Sequence, residues 1–205
     1  MWHTTKKAML GMAVSAVALT GAGCTTTGMD NSMAYGQPDT SAIGPQAPRA
    51  NTVYGMARLM RSQGKHEQAE LALIGLTREY PNYSPAYNDL AEIRIEQGRL
   101  EEAIAYVDKG LEIAPNDAVL LNHAGGCSLM KHDYEKALDY FKRASIIAPV
   151  ESRYRANVAL ALGLTGDTEG ARALYYQIVS AQEAEHNMEV IRQMVAPQEI
   201  ITPTD

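Results

Sequence analysis

The chain has 205 residues, of which 18 are Lys or Arg and 24 are Asp or Glu, for a formal net charge of −6. A net-negative chain with no basic run is excluded as a phosphate-tracking nucleic-acid binder, because Lys and Arg contacts to phosphate supply most of that affinity. Two cysteines in this length exclude a disulfide-stapled scaffold, so an apolar core must hold the fold together.

The N-terminus, MWHTTKKAMLGMAVSAVAL, places Lys6 and Lys7 ahead of an uncharged run over residues 8–22. A membrane-spanning helix needs about 20 apolar residues, and this run is shorter. A basic start, a short apolar run and small residues before a cut describe a secretory signal. The stretch LTGAGCTTTG, residues 19–28, has glycines on both sides of Ala22 but no Lys followed by Ser or Thr, which excludes a phosphate-binding loop. Its pattern L-T-G-A-G-C resembles the bacterial lipoprotein signal, in which the Cys thiol is acylated and becomes the mature N-terminus. The resemblance implies a signal peptide over 1–23 and lipidation of Cys24. Gly21 stands where that family usually has Leu, Val or Ile, and the other reading is an ordinary secreted protein cut nearby with a free Cys. Thr25 in place of Asp implies sorting to the outer membrane, lipid-anchored on the periplasmic face. Removing residues 1–23 leaves 16 basic against 24 acidic side chains. Residues 24–49 mix Gly, Pro, Ser and Thr with no helical or strand period and predict a flexible linker. At that length a flexible chain spans roughly 25–30 Å on average.

From residue 50 the chain is periodic. Pro81, Pro115 and Pro149 are spaced by 34, as are Gly64, Gly98, His132 and Gly166, and Ala69, Ala103, Ala137 and Ala171. A 34-residue period with small residues at these offsets resembles the tetratricopeptide repeat. The resemblance implies an all-α tetratricopeptide-repeat solenoid of about four helical hairpins plus a capping helix. The repeats fall at 50–83, 84–117, 118–151 and 152–185, with the capping helix and tail over 186–205. In each, a first helix of about 14 residues reaches the Gly column, where a left-handed residue turns the chain at little strain. His132 departs from that column, and Asp133 with Tyr134 is expected to support its turn. The second helix ends near each proline, which cannot continue it. The Ala column lets the paired helices approach closely. Leu73, Val107, Phe141 and Tyr175, then Leu76, Gly110, Ala144 and Ile178, form inward columns at helical spacing. In the fourth repeat the proline slot holds Glu183, so nothing is expected to stop the helix there. The stretch QEAEHNMEVIRQMV, residues 182–195, is amphipathic through Met188, Ile191 and Met194 and reads as the cap that a solenoid's open end requires.

No catalytic constellation is visible. His3, His66, His123, His132 and His186 contain no pair at i,i+4, and no Cys or His pair has zinc spacing. Glu101 and Glu102 fall on the exposed start of a second helix, where acids suit the helix dipole and face solvent. No Gly-x-Ser-x-Gly occurs. Cys127, among apolar and small residues, reads as a small buried hydrophobe. The sequence thus predicts no enzyme, no metal, no cofactor and no small-molecule substrate, and leaves protein binding.

A repeat solenoid offers a concave groove lined by its first helices. The groove positions include Tyr54, Arg58 and Arg61 in repeat one, and Asn88, Asp89, Glu92 and Glu96 in repeat two. Repeat three supplies Asn122, His123, Leu129 and Met130, and repeat four Arg153, Asn157, Leu160 and Leu164. The Lys, Asn and Arg clamp by which some tetratricopeptide domains hold a terminal carboxylate is absent, since Tyr54, Arg58, Asp89, Val119 and His123 occupy its positions. The candidate partner groove is therefore the later half: Asn122, His123, Leu129, Met130, Asn157, Leu160 and Leu164. There the amides would hold a partner's backbone and Leu and Met its apolar side chains. The competing reading packs Leu129 and Leu160 against adjacent helices.

The lipid-type Cys, the Thr-rich spacer, the short array and the block RYRANVALALGLTGDTEGARAL, residues 153–174, together resemble the TadD family of tight-adherence (Flp) pilus assembly lipoproteins. That resemblance implies a scaffold that helps an outer-membrane secretin, or another pilus or secretion component, to localise or assemble. A type IV pilus pilotin and a general envelope scaffold docking peptidoglycan enzymes are the alternatives.

Overall fold

Residues 47–195 are described by the computed structural model; Cys24, most of the expected linker and the tail after Val195 lie outside them. Among the described residues there are nine α-helices and no strand. They are α1 (Ala47–Ser62), α2 (His66–Glu79), α3 (Ser84–Glu96), α4 (Leu100–Ile113), α5 (Ala118–Met130), α6 (Tyr134–Ile147), α7 (Ser152–Thr165), α8 (Thr168–Ile178) and α9 (Ala181–Val195). None of these is long and apolar enough to cross a membrane.

Two kinds of turn, each set by local sequence, alternate along the chain. Within a pair, a residue one or two places past the first helix is left-handed: Gly64, Gly98 and Gly166 have φ of 75°, 70° and 102°. Each turn is closed by the same long backbone bond, Lys65 N–H to the Met60 carbonyl (2.9 Å), Arg99 to Arg94 (2.8 Å), Asp133 to Ser128 (2.9 Å) and Asp167 to Leu162 (2.9 Å). This is the Schellman arrangement that satisfies carbonyls at a helix end. His132 adopts φ 62° without being glycine, and its Nδ1 meets the Tyr134 hydroxyl at 2.9 Å. The Asp133 carboxylate accepts from the Lys136 N–H at 3.2 Å and caps α6. Between pairs, the N–H of Tyr83, Asp117 and Glu151 donates to the carbonyl three residues back, across Pro81, Pro115 and Pro149. Pro suits the second position of such a turn because its φ is already set.

The chain breaks at Val179–Ser180, short of the continuous helix expected through Glu183. Val179 is extended (ψ 171°). The Ser180 N–H and hydroxyl both bond Glu183 Oε2 (3.0 and 2.7 Å), and the Glu183 N–H returns to Ser180 Oγ at 3.3 Å. This reciprocal capping box starts α9 at Ala181, so the boundary expected between 185 and 186 falls inside α9. Ala184, Met188 and Ile191 of α9 are buried in the same cluster as α7 and α8.

Packing follows the columns. Ala69, Ala103, Ala137 and Ala171 are fully buried, as are Leu73, Phe141 and Tyr175, with Val107 1 % exposed. Fully burying a Leu or Phe side chain contributes about 1.5–3 kcal/mol, so these columns hold each pair and its neighbour together. At Gly125 the two helices approach closely: an added Cβ would lie 2.5 Å from Phe141 Cε1. Only glycine lets α5 seat the Phe141 ring of α6 there.

Candidate partner groove

The first helix of each pair, α1, α3, α5 and α7, packs beside the next and lines one face, the concave side of a repeat solenoid. Side-chain bonds cross each seam. On the α1–α3 side the Tyr54 hydroxyl donates to Asp89 Oδ1 at 3.1 Å, and Asn88 Nδ2 donates to the same oxygen at 3.3 Å. Arg61 pairs with Glu92 at 2.9 Å and reaches Glu96 at 3.5 Å. The Arg58 guanidinium lies 5.9 Å from the Tyr54 ring centroid. Asp89 is only 5 % exposed. Burial first, then the charge of Glu92, pushes its carboxyl up to about 6, against the pull of Arg61 and the Tyr54 hydrogen bond. Burial also pushes the Tyr54 phenol up, and the Asp89 charge adds to it.

On the α5–α7 side Asn157 Nδ2 donates to Asn122 Oδ1 at 2.7 Å. Asn157 is 3 % exposed, whereas Asn122 and His123 are half-buried. Burial pulls the His123 imidazole below its ordinary pKa, outweighing the opposite effect of Glu92, so the ring is neutral at pH 7. Arg153 pairs with Glu151 at 3.3 Å and lies 5.0 Å from the Tyr154 ring centroid. Three polar atoms along this face are buried without a hydrogen-bond partner among the described residues: Asn88 Oδ1 on α3, His123 Nδ1 on α5 and Asn157 Oδ1 on α7.

This geometry corrects the expectation of an apolar later half. Leu129 is fully buried, and Leu160 and Leu164 are 1 % and 6 % exposed. All three belong to the core cluster that contains Phe141, Tyr175 and Ile191. Neighbouring helices cover them, so they hold the seam between pairs and offer nothing to a partner. Met130 is half-buried against a separate cluster with Ala103 and Cys127. Of the expected groove residues, Asn122, His123 and Asn157 come together on the face, and they join the polar row from α1 and α3. The α3 residues Asn88, Asp89 and Glu92 therefore belong to the same site as the α5 and α7 amides.

Glu102 is exposed at the start of α4, as its position implies, and it also takes part in an ion network. Its carboxylate bonds Arg94 Nε at 3.1 Å and Arg99 Nη2 at 2.6 Å. Arg94, 4 % exposed, bonds Glu70 at 2.7 Å as well, so an ion network ties α2, α3 and α4. Nothing in the repeat pattern marked Arg94, because the network is assembled from three separate helices. Cys127 is 3 % exposed, and burial pushes its thiol up to about 12. A thiol so rarely ionised is inert.

The sequence matches the family profile of the tetratricopeptide repeat over residues 60–124 and 94–161. The fold is a tetratricopeptide-repeat solenoid. Among solved structures it is similar to YrrB, described as a tetratricopeptide-repeat protein with an unusual peptide-binding site. That match has 18% identity and a TM-score of 0.61, covering 77% of this chain and 84% of that one. It is similar also to the pilF protein of Pseudomonas aeruginosa, with 19% identity and a TM-score of 0.52, covering 75% and 79% of the two chains. Among curated proteins the tetratricopeptide-repeat solenoid is 24% identical over 109 residues to Protein CTR9 homolog of Arabidopsis thaliana. The matched stretch is 51% of this chain but only 10% of that protein. The tetratricopeptide repeat is a protein-interaction module, and residues 60–161 of this chain match it.

Proposed function

We propose that this tetratricopeptide-repeat scaffold is an outer-membrane lipoprotein that helps assemble a tight-adherence (Flp) pilus secretion apparatus, holding the secretin or another pilus component in its groove. The observation that carries the reading is the combination of a lipoprotein-type Cys24 and spacer with a short repeat array. The repeat face would supply the binding half of that role through its half-buried Asn88, Asn122 and His123. Acylation at Cys24 would supply the other half, since stable anchoring takes two or more lipid chains. The likeness to pilF, a pilus-related repeat protein, supports a pilus role and also favours a second reading, that of a type IV pilus pilotin.

Labelled palmitate fed to cells should enter the wild-type protein and not Cys24→Ser. Affinity capture of the intact lipoprotein from envelope extracts should bring down a secretin. Absence of label sinks the anchor, and capture without secretin or any other pilus component sinks the pilus role. Capture of a type IV rather than a tight-adherence secretin would decide for the second reading.

A further inference from the structure

The two ends of the described array are finished differently. At the far end α9 lies over α7, and Ile191 Cδ1 stands 2.7 Å from where a Cβ on Gly163 would sit. At the near end α1 is the first described helix, and its Met56 and Leu59 are 54 % and 58 % exposed. Their counterparts in the three later repeats are all buried: Leu90, Ala124 and Val158 for Met56, and Ile93, Cys127 and Ala161 for Leu59. In each case the second helix of the preceding pair provides the cover. Leu90 and Ile93 cluster with Leu73 and Leu76 of α2, and Ala124 and Cys127 with Ala103 and Val107 of α4. Val158 and Ala161 cluster with Ala137 and Phe141 of α6. The Met56–Leu59 stripe is therefore the seat of a helix. It is apolar where the open end of a solenoid needs a polar face.

The sequence directly upstream is ill-suited to supply that helix. Residues 24–46 contain Gly28, Gly36, Gly44, Pro38 and Pro45, which oppose a helix along the whole stretch. A second copy of α1 is well suited. Its Met56 and Leu59 lie one turn apart with no charge between them on that side. The α1 cations are already engaged: Arg49 with Glu79 at 3.9 Å, Arg58 over the Tyr54 ring at 5.9 Å and Arg61 with Glu92 at 2.9 Å. Two α1 helices can thus meet without opposing bare charges. Gly55 stands beside the stripe, and an added Cβ there would have nothing within 4 Å, so close approach of a second backbone is unobstructed. We propose that this face is a self-association surface: two copies pair antiparallel through α1, with Met56 of one facing Leu59 of the other. Every copy carries the same uncovered seat, and a twofold pair covers both at once. One helix pair buries less than the roughly 1,600 Å² of a standard interface, so the dimer is weak and concentration-dependent. The surface is the end of the array and not the groove, so the pairing does not depend on what the groove holds.

The test is sedimentation equilibrium of the purified full chain in density-matched detergent, at concentrations up to about 0.1 mM. The mass should rise with concentration from that of one chain towards that of two. The double variants Met56→Glu with Leu59→Glu, and Met56→Lys with Leu59→Lys, should each stay monomeric, because like charges then meet across the axis. An equal mixture of the two should dimerise again, since opposite charges now face each other. Val150→Glu removes a side chain that is 90 % exposed in the turn before α7, and it should dimerise like the wild type. Circular dichroism and melts run alongside to establish that each variant is folded. A dimer that persists in the double Glu variant, or a mixture that stays monomeric, would overturn the proposal. So would a wild type that is monomeric throughout, which would leave the face to residues 24–46 or to another protein.

Discussion

Replacing Glu70 by Gln should destabilise the array more than replacing Arg94 by Met, although Arg94 is the charge that is buried. The Arg94 side chain is 5 % exposed, and those of Glu70 and Glu102 are 20 % and 46 % exposed. Arg94 Nη2 lies 2.7 Å from Glu70, Nε 3.1 Å from Glu102 and Nη1 2.8 Å from Gln97. Glu70→Gln leaves a desolvated guanidinium facing one half-exposed carboxylate. Removing one partner of a buried ion pair costs about 3–5 kcal/mol, and the remaining Glu102 brings the expectation down to roughly 2–3 kcal/mol. Arg94→Met lets both carboxylates turn to water, keeps an apolar stem in the same space and removes the desolvation cost of the cation. Apolar replacement of buried ions is often neutral, so the expected cost is about 0–1.5 kcal/mol. The hydrogen bond from Arg94 is the main cause that holds the Glu70 carboxyl below its usual 4.5. A depressed folded pKa adds stability that is full above 4.5 and lost as pH falls through the folded value. Urea titrations followed by helical circular dichroism at neutral pH and at about pH 3 should therefore show the gap between wild type and Glu70→Gln narrowing in acid. An Arg94→Met cost equal to or above that of Glu70→Gln, or a gap that ignores pH, would refute the reasoning.

The other expectations concern the groove and one core hydroxyl. Asp89 has its folded pKa raised from 3.8 to about 6, so wild type loses stability as pH rises between those values. Asp89→Asn keeps an acceptor for Tyr54 and should be more stable at neutral pH by up to about 3 kcal/mol, at roughly 1.36 kcal/mol per pKa unit; melts at a series of pH values should show the gain vanishing below 3.8. Asn157→Ala should cost about 1–2 kcal/mol in thermal or urea unfolding, because it deletes a buried bond to Asn122; an unchanged melt would mean the amide serves only the partner. The Tyr175 hydroxyl is buried without a hydrogen-bond partner among the described residues. Tyr175→Phe should be neutral or stabilising by about 1 kcal/mol, and a loss of similar size would show that the hydroxyl has a partner, such as an ordered water.

The repeat architecture was legible because it is written in residues whose effect is local. Glycine at Gly64, Gly98 and Gly166 specifies a left-handed turn wherever it stands, and Pro81, Pro115 and Pro149 stop a helix without reference to the rest of the chain. The Ala column was legible for the same reason, since a small side chain permits close approach of any neighbour. The Ser180–Glu183 capping box is equally local, a helix start signal three residues ahead of the slot where Glu183 replaces proline.

What the groove presents was not legible, because helical position names a face and not its cover. Asn122 and Leu129 are seven residues apart and project in nearly the same direction, yet Asn122 remains half-buried on the face while Leu129 is sealed in the core. Their difference depends on how closely α7 and its Leu160 approach, which only the packing of one pair on the next decides. The same holds for charge. The sequence by itself determined the turn and stop signals of the repeats, the period and the inward columns, since these follow from backbone preference and spacing. Only the tertiary structure decided that Arg94 would be buried between Glu70 and Glu102, that Asp89 would lie under Tyr54, and that three acceptors would be left without donors among the described residues, since each depends on distances between helices that share no local sequence.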